Sequence, residues 1–271
     1  MSHLLLTIAV PTYNRAKLLD LCLDRILAQV QPCADEVEVV VSNNAATDHT
    51  KEIVAKYQQR YKHLRYSENE KNGGPDFNIA RCFELATGKY VWVFSDDDLL
   101  LPNALDRLLP LLREQDLGIV TLAPIFYRDS IHECVVSGRE PLEYKLYEHP
   151  AKLAQETNFW LTYITGVITN KDLVRNAPTL YQYQNSFMIQ LGWVMPALFN
   201  NRPSANVTTP LILGRSLETL DFKLFHVFGT SYPIVLEGLA RQGVLPVPVK
   251  EKLIKLIITQ YFPYYIQPAS Q

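Results

Sequence analysis

Residues 88–98 read Gly-Lys-Tyr-Val-Trp-Val-Phe-Ser-Asp-Asp-Asp. Tyr90 to Phe94 is an unbroken apolar and aromatic run, the pattern of a strand buried on both faces. Three consecutive carboxylates, Asp96, Asp97 and Asp98, end it, and Leu99-Leu100-Leu101 follows at once. Like charges at the edge of a core repel one another and resist desolvation. A hard divalent cation, Mg²⁺ or Mn²⁺, removes that cost because it prefers carboxylate oxygens. The plainer reading is an acidic turn ahead of a helix near Pro102.

The residues before this stretch alternate between two periods. Leu4 to Val10, Val37 to Val41, His63 to Tyr66 and Leu117 to Leu122 read as further strands. Residues 15–29, 47–61, 76–86 and 102–113 read as helices, with Gly88 as the C-terminal cap of the third. Strand–helix alternation with short links predicts an α/β fold with a mostly parallel sheet covered by helices on both faces. Ligands in such sheets bind at the carboxyl ends of the strands. Every unusual polar cluster falls at such an end: Pro11 to Arg15, Ser42 to Asp48, and Ser95 to Asp98.

Composition narrows the classes. Hydrophobic residues make up 48% of the 271 positions and charged residues 20%, so the chain can build a sizeable core. The formal net charge is −2 and no long basic run occurs, which argues against nucleic acid as a partner. Cys22, Cys33, Cys82 and Cys134 are widely spaced and form no zinc-type cluster. Cys22 and Cys82 sit in apolar-periodic stretches and are expected to be buried thiols, which fits a reducing, cytoplasmic setting. No signal-peptide pattern and no membrane-span-length apolar run is seen.

Beyond residue 123 the alternation weakens. Residues 124–150 are polar and turn-rich. Phe159, Trp160, Tyr163, Tyr181, Tyr183, Phe187 and Trp193 make residues 151–200 aromatic-rich, either as ordinary core or as a platform for an apolar or sugar-ring ligand. Residues 249–266 read as an amphipathic helix with lysines alongside. That helix either packs on the domain or makes a peripheral contact with the inner face of a membrane, or with another copy.

Four clusters stand in order: Val10-Pro11-Thr12-Tyr13-Asn14-Arg15, Val41 to Asp48, Asn72-Gly73-Gly74-Pro75, and Ser95 to Asp98. In this order and spacing the chain resembles family 2 of the inverting nucleotide-sugar glycosyltransferases, with the GT-A fold. Its length and N-terminal motifs are most similar to the short, abequosyltransferase-like enzymes that build bacterial surface polysaccharides. The resemblance covers residues 4 to about 125. It implies a nucleotide-sugar-binding subdomain at 1–125, and an acceptor-side and helical C-terminal region of the same domain at 126–271.

The resemblance also assigns roles. Pro11 and Thr12 would present backbone to base and ribose, Tyr13 would flank the base, and Arg15 would approach the diphosphate. Asn43, followed by Asn44, stands where the family usually has an Asp that accepts from the base. An amide can accept or donate, so UDP is the default donor and CDP or dTDP the alternatives. The same two residues also suit a turn. Asp48 resembles a helix-capping Asp. Gly73 and Gly74 would let the backbone approach the nucleotide, or simply form a turn with Pro75. Asp96 and Asp98 match the Asp-x-Asp motif. Asp96 and Asp97 would face the donor, and Asp98 with Asp96 would hold Mg²⁺ or Mn²⁺. Gly166 resembles a glycine on the acceptor side.

An inverting transferase also needs a base for the acceptor hydroxyl. The family places an Asp or Glu in a window that here is Tyr181 to Pro196, which contains no acid. Asp221 and His226 are the substitutes the sequence offers. The implied function is metal-dependent transfer of a sugar from a nucleoside-diphosphate sugar to a saccharide or lipid-linked saccharide. The alternative is a nucleotide-sugar-binding or scaffold protein with impaired catalysis. A nucleotidyltransferase would want a Gly- and Lys/Arg-rich loop after the first strand, and Pro11-Thr12-Tyr13-Asn14 does not supply one.

Overall fold

The structure is a computed structural model that describes residues 4–127, 137–174, 180–216 and 224–263. Its frame is β1 (Leu6–Thr12), β2 (Val37–Asn43), β3 (Leu64–Glu68) and β4 (Tyr90–Val93). These four lie side by side in the order β3-β2-β1-β4 and are all parallel. Their carboxyl ends therefore share one edge, with Thr12 opposite Asn43 and Asn43 opposite Glu68.

Along β1, Leu6, Ile8 and Val10 face one core and Ala9 the other, the period-two pattern of a strand covered on both sides. The first core is built with α1 (Ala16–Val30), α2 (Thr50–Gln58) and α4 (Ala104–Glu114). In α1 the buried set Leu19, Cys22, Leu23, Ile26, Leu27 and Val30 forms one helical face. The second core takes α3 (Pro75–Leu85), α5 (Pro150–Thr157) and α6 (Leu191–Leu198). It also takes the C-terminal helices. There α7 (Leu224–His226) runs through a π-helical stretch into α8 (Tyr232–Arg241), and α9 (Val247–Leu256) packs beside them. Val249, Leu253, Leu256 and Ile257 are buried, so the apolar face is core from 249 to 257, whereas Ile258 stays exposed; residues 264–266 of the expected helix lie outside the described residues.

The rest of the sheet comes from the region where the alternation fades. It contains β5 (Leu99–Leu100), β6 (Ile119–Tyr127), β7 (Tyr144–Tyr147), β8 (Val167–Asn170) and β9 (Ser204–Arg215). β8 inserts antiparallel between β4 and β6, and β6 runs parallel to β9. β5 and β7 pair antiparallel with β9. The sheet thus runs unbroken across residue 125.

Gly88 is not a helix cap. Ala86 already leaves α3 in an extended conformation. A Cβ on Gly88 would stand 2.7 Å from the Thr7 backbone nitrogen, so the glycine serves a close approach between neighbouring strands. The fourth helix starts at Ala104, after Asn103 at φ 56°, two residues past the expected Pro102.

Candidate functional site

A cleft of about 400 Å³ opens at the carboxyl edge of the parallel strands. Pro11, Thr12, Tyr13 and Arg15 line it from the end of β1, Asn44 from the end of β2, and Ser95 and Asp96 from the end of β4. Asn72, Gly74, Pro75, Asn78, Ile79 and Ile164 complete the lining. Three clusters far apart in sequence meet there because parallel strands deliver all their carboxyl ends to one edge.

The carboxylates are held by distinct partners. Thr12 Oγ1 donates to Asp96 Oδ2 at 2.8 Å. The Arg15 guanidinium bridges Asp96 Oδ1 and Asp97 Oδ2, each at 3.1 Å. Asp97 also accepts from the Ser95 hydroxyl at 2.5 Å. Asp98 turns toward the other side of the site. Tyr163 Oη and Thr165 Oγ1 both donate to its Oδ2 at 2.6 Å, and the Arg215 N–H donates to its Oδ1 at 3.0 Å. The Thr165 hydroxyl in turn accepts from the Ser95 N–H at 3.0 Å. Gly166 permits this turn, because a Cβ there would meet the Tyr163 ring at 2.8 Å.

Burial pushes both Asp96 and Asp98 up to about 6. For Asp96, Arg15 and Thr12 oppose that rise without cancelling it. For Asp98, the Thr165 and Tyr163 hydroxyls do the same. The cost of burying a like-charged pair is therefore only partly met by protein groups.

Among the described residues, no group of three or more His, Cys, Asp and Glu side chains is placed to hold a metal ion alone. The donor set still fits Mg²⁺ or Mn²⁺ in the manner of nucleotide sites, where one or two carboxylates share the ion with substrate phosphates. Asp96 and Asp98 are hard oxygen donors whose charge is under-compensated, which is the electrostatic condition for such sharing.

Other expected residues sit differently. Asn43 does not line the cleft; its amide donates to Tyr66 Oη at 2.9 Å and its oxygen accepts from the Ala46 N–H at 2.9 Å. Asn44 faces the cleft but braces the glycine loop, donating to Asn72 Oδ1 and Gly74 O and accepting from the Gly73 N–H. Gly74 takes φ +85° immediately before α3, where a side chain would be strained. Gly73 lies under the Phe77 ring, which a Cβ would strike at 2.5 Å. Asp48 caps two helix starts at once, accepting from the N–H groups of Ala16 and Thr50. His226 is exposed at the end of α7 and, among the described residues, makes no hydrogen bond or ion pair to the carboxylates. Asp221 lies outside the described residues, as does Cys134. Cys22 and Cys82 are buried free thiols, as expected.

Three features escaped the sequence reading: Tyr163 and Thr165 as partners of Asp98, the Arg215 N–H, and Asp76. Tyr163 and Thr165 were visible only as members of an aromatic set and of a glycine-containing stretch. Their partner is 65 and 67 positions away, and only the pairing of β8 with β4 reveals it.

A parallel-edge cleft with clustered carboxylates defines a GT-A-type fold, and solved structures agree. Staphylococcus aureus TarS (residues 1–349, in complex with UDP-GlcNAc) superposes with a TM-score of 0.71 at 20% identity, over 96% of this chain and 73% of that one. A mannosyltransferase from Pyrobaculum calidifontis in complex with GDP-Man and Mn²⁺ superposes with a TM-score of 0.60 at 18% identity, over 96% and 71%. The chain belongs to glycosyl transferase family 2, whose model matches residues 7–175. In sequence it is 35% identical over 113 residues to the abequosyltransferase RfbV of Salmonella typhimurium, a match spanning 41% of this chain and 34% of that protein.

Proposed function

We propose that the chain transfers a sugar from a nucleoside-diphosphate sugar to a saccharide or lipid-linked saccharide in surface polysaccharide assembly, with inversion and with a divalent cation. The observation that carries this reading is the pair of buried, under-compensated carboxylates, Asp96 lining the cleft and Asp98 two residues further on. The family supports a sugar donor, and the nucleotide-sugar complexes of structural neighbours support a uridine or guanosine diphosphate class of ligand. UDP is the first donor to test, with CDP and dTDP next.

In this reading the nucleoside lies between Tyr13 and the Asn72–Gly74 loop, and Arg15 meets the diphosphate at the Asp96–Asp97 end. Asp98, with Asp96, would hold the cation, which supplies Lewis-acid stabilisation of charge on the departing diphosphate. Tyr163, Thr165 and the Arg215 N–H keep Asp98 in one orientation. An acceptor hydroxyl oxygen bonds to the anomeric carbon as the bond from that carbon to the phosphate oxygen breaks. The hydroxyl proton passes to a base, for which Asp221 and His226 are the proposed groups.

A second reading is a nucleotide-sugar-binding protein without turnover, favoured by the acid-free segment from Tyr181 to Pro196. One assay separates the two. The chain is incubated with UDP-, GDP-, CDP- and dTDP-sugars plus Mn²⁺, with and without acceptor-containing extracts. Donor consumption that disappears in Asp98→Ala is the expected result. Tight nucleotide binding with no turnover under any condition favours the second reading. Peripheral membrane contact through 249–266 is proposed on the exposed Ile258 and nearby lysines and is tested by vesicle co-sedimentation.

A further inference from the structure

Next to Tyr163 lie two exposed aromatic rings, Phe126 and Trp160, to which none of the roles above gives work. Tyr163, whose hydroxyl holds Asp98, has the Phe126 ring 6.1 Å away and the Trp160 ring 6.3 Å away, centroid to centroid. Phe126 and Trp160 themselves stack at 5.9 Å with 25° between their planes. Both are open to solvent, Phe126 at 44% and Trp160 at 39% exposure. Two stacked, solvent-open rings, with Tyr163 tilted to Phe126 by 49° and edge-on to Trp160 at 74°, are thus presented beside the carboxylate of Asp98.

The fold makes room for it. Phe126 comes from the far end of β6, past the register slip between Leu122 and Pro124. Across from it, Gly214 on β9 carries no side chain. A Cβ there would stand 2.7 Å from the Phe126 ring and 2.9 Å from Tyr163 Oη. One glycine therefore permits both the exposed ring and the hydroxyl that orients Asp98.

We propose that Phe126 and Trp160, with Tyr163 at their edge, are the acceptor subsite and take a saccharide ring face-on. This rests on the transferase reading above. The C–H face of a pyranose is apolar and weakly positive, and an aromatic face is apolar and weakly negative. Flat rings bind that face without having to distinguish hydroxyl patterns, while the sugar's rim hydroxyls stay free. Continuity with Asp98 selects this occupant: a ring seated here has its rim at the edge where Tyr163 meets the donor carboxylates. A lipid surface or a second copy of the chain would need no such adjacency.

The chain carries its own reporter. Of its three tryptophans, Trp92 and Trp193 are buried at 0% and 2% exposure, so Trp160 is the one whose emission responds to a surface ligand. The test titrates the full chain with the α- and β-methyl glycosides of glucose, galactose, mannose and N-acetylglucosamine. Phosphatidylglycerol–phosphatidylethanolamine vesicles serve as the competing occupant. Expected is a saturable emission change with at least one glycoside, lost in Trp160→Phe. Phe126→Leu, which keeps apolar bulk but removes the flat face, should weaken that glycoside about tenfold while UDP–Mn²⁺ affinity stays within about twofold. The proposal is overturned if no glycoside saturates, if Phe126→Leu weakens vesicle binding but not glycoside binding, or if Phe126→Leu weakens UDP and glycoside equally. Absence of donor turnover alongside a normal glycoside response would instead remove the transferase reading and leave the subsite standing.

Discussion

Asp96 and Asp98 make the unliganded protein sensitive to pH in a direction opposite to ordinary acid denaturation. Their folded values of about 6 lie above the ordinary 3.8, so between those limits the folded chain holds protons that the unfolded chain has lost. Stability contributed by these groups is complete below about pH 4 and is lost as pH rises through about 6. The expected loss is on the order of 3 kcal/mol per group for a shift of this size. Glu36, Glu38 and Asp48 are lowered, so their effect falls below this window. Melting temperatures measured without divalent ions should therefore fall from pH 5 to pH 7.5. Asp98→Asn should flatten that slope, and a slope unchanged by the substitution would show that Asp98 is not the strained group. Much of this was legible in advance, because three carboxylates beside an apolar run announce their own electrostatic problem. The partners were not. Nothing near Asp98 in sequence identifies Tyr163 or Arg215, and Asn43, which the family resemblance places against a base, ties Tyr66 to its own turn.

The parallel elements are pinned to one another by two acidic residues that do no chemistry. Glu38 on β2 is buried and accepts from Thr7 on β1, from Arg65 on β3, and from both the N–H and the hydroxyl of Thr87 before β4. Asp48 joins the starts of α1 and α2 and so sets how both helices leave the cleft edge. Asp48→Ala leaves two first-turn N–H groups without their acceptor and should lower stability by roughly 1–2 kcal/mol, read by urea unfolding. An unchanged midpoint would mean that water replaces the carboxylate at both ends. At this scale the sequence was most readable where strand and helix alternate and both faces are covered, since burial on two sides enforces continuous apolar runs. It was least readable at β5, β8 and β9. β5 has two residues, and β8 and β9 are antiparallel to some neighbours and joined by long-range pairings that leave no local period.

Across the whole molecule, the glycine loop ahead of α3 and residues 185–189 are coupled through Asp76. It sits in the first turn of α3, two positions after the cleft-lining Gly74. Its buried carboxylate accepts from the Phe187 N–H at 2.9 Å, and the backbone N–H groups of Asn185, Ser186 and Ile189 oppose the upward shift that burial gives it. Those four residues belong to the acid-free segment where the family resemblance looks for a base. Asn185 and Phe187 take φ 70° and 61° there, conformations an unsupported non-glycine chain avoids. A carboxylate surrounded by backbone donors offsets that strain and fixes the segment relative to the glycine loop. Asp76→Asn replaces one acceptor oxygen with a donor that faces other donors. Hydrogen exchange at residues 185–189 should then accelerate by at least about tenfold, the scale of one lost buried hydrogen bond. UDP–Mn²⁺ affinity should stay within about twofold, because the cleft-lining side chains are untouched. Acceptor-dependent turnover should fall with the exchange protection. Loss of donor affinity in parallel would show that Asp76 supports the cleft lined by Gly74 as well as residues 185–189.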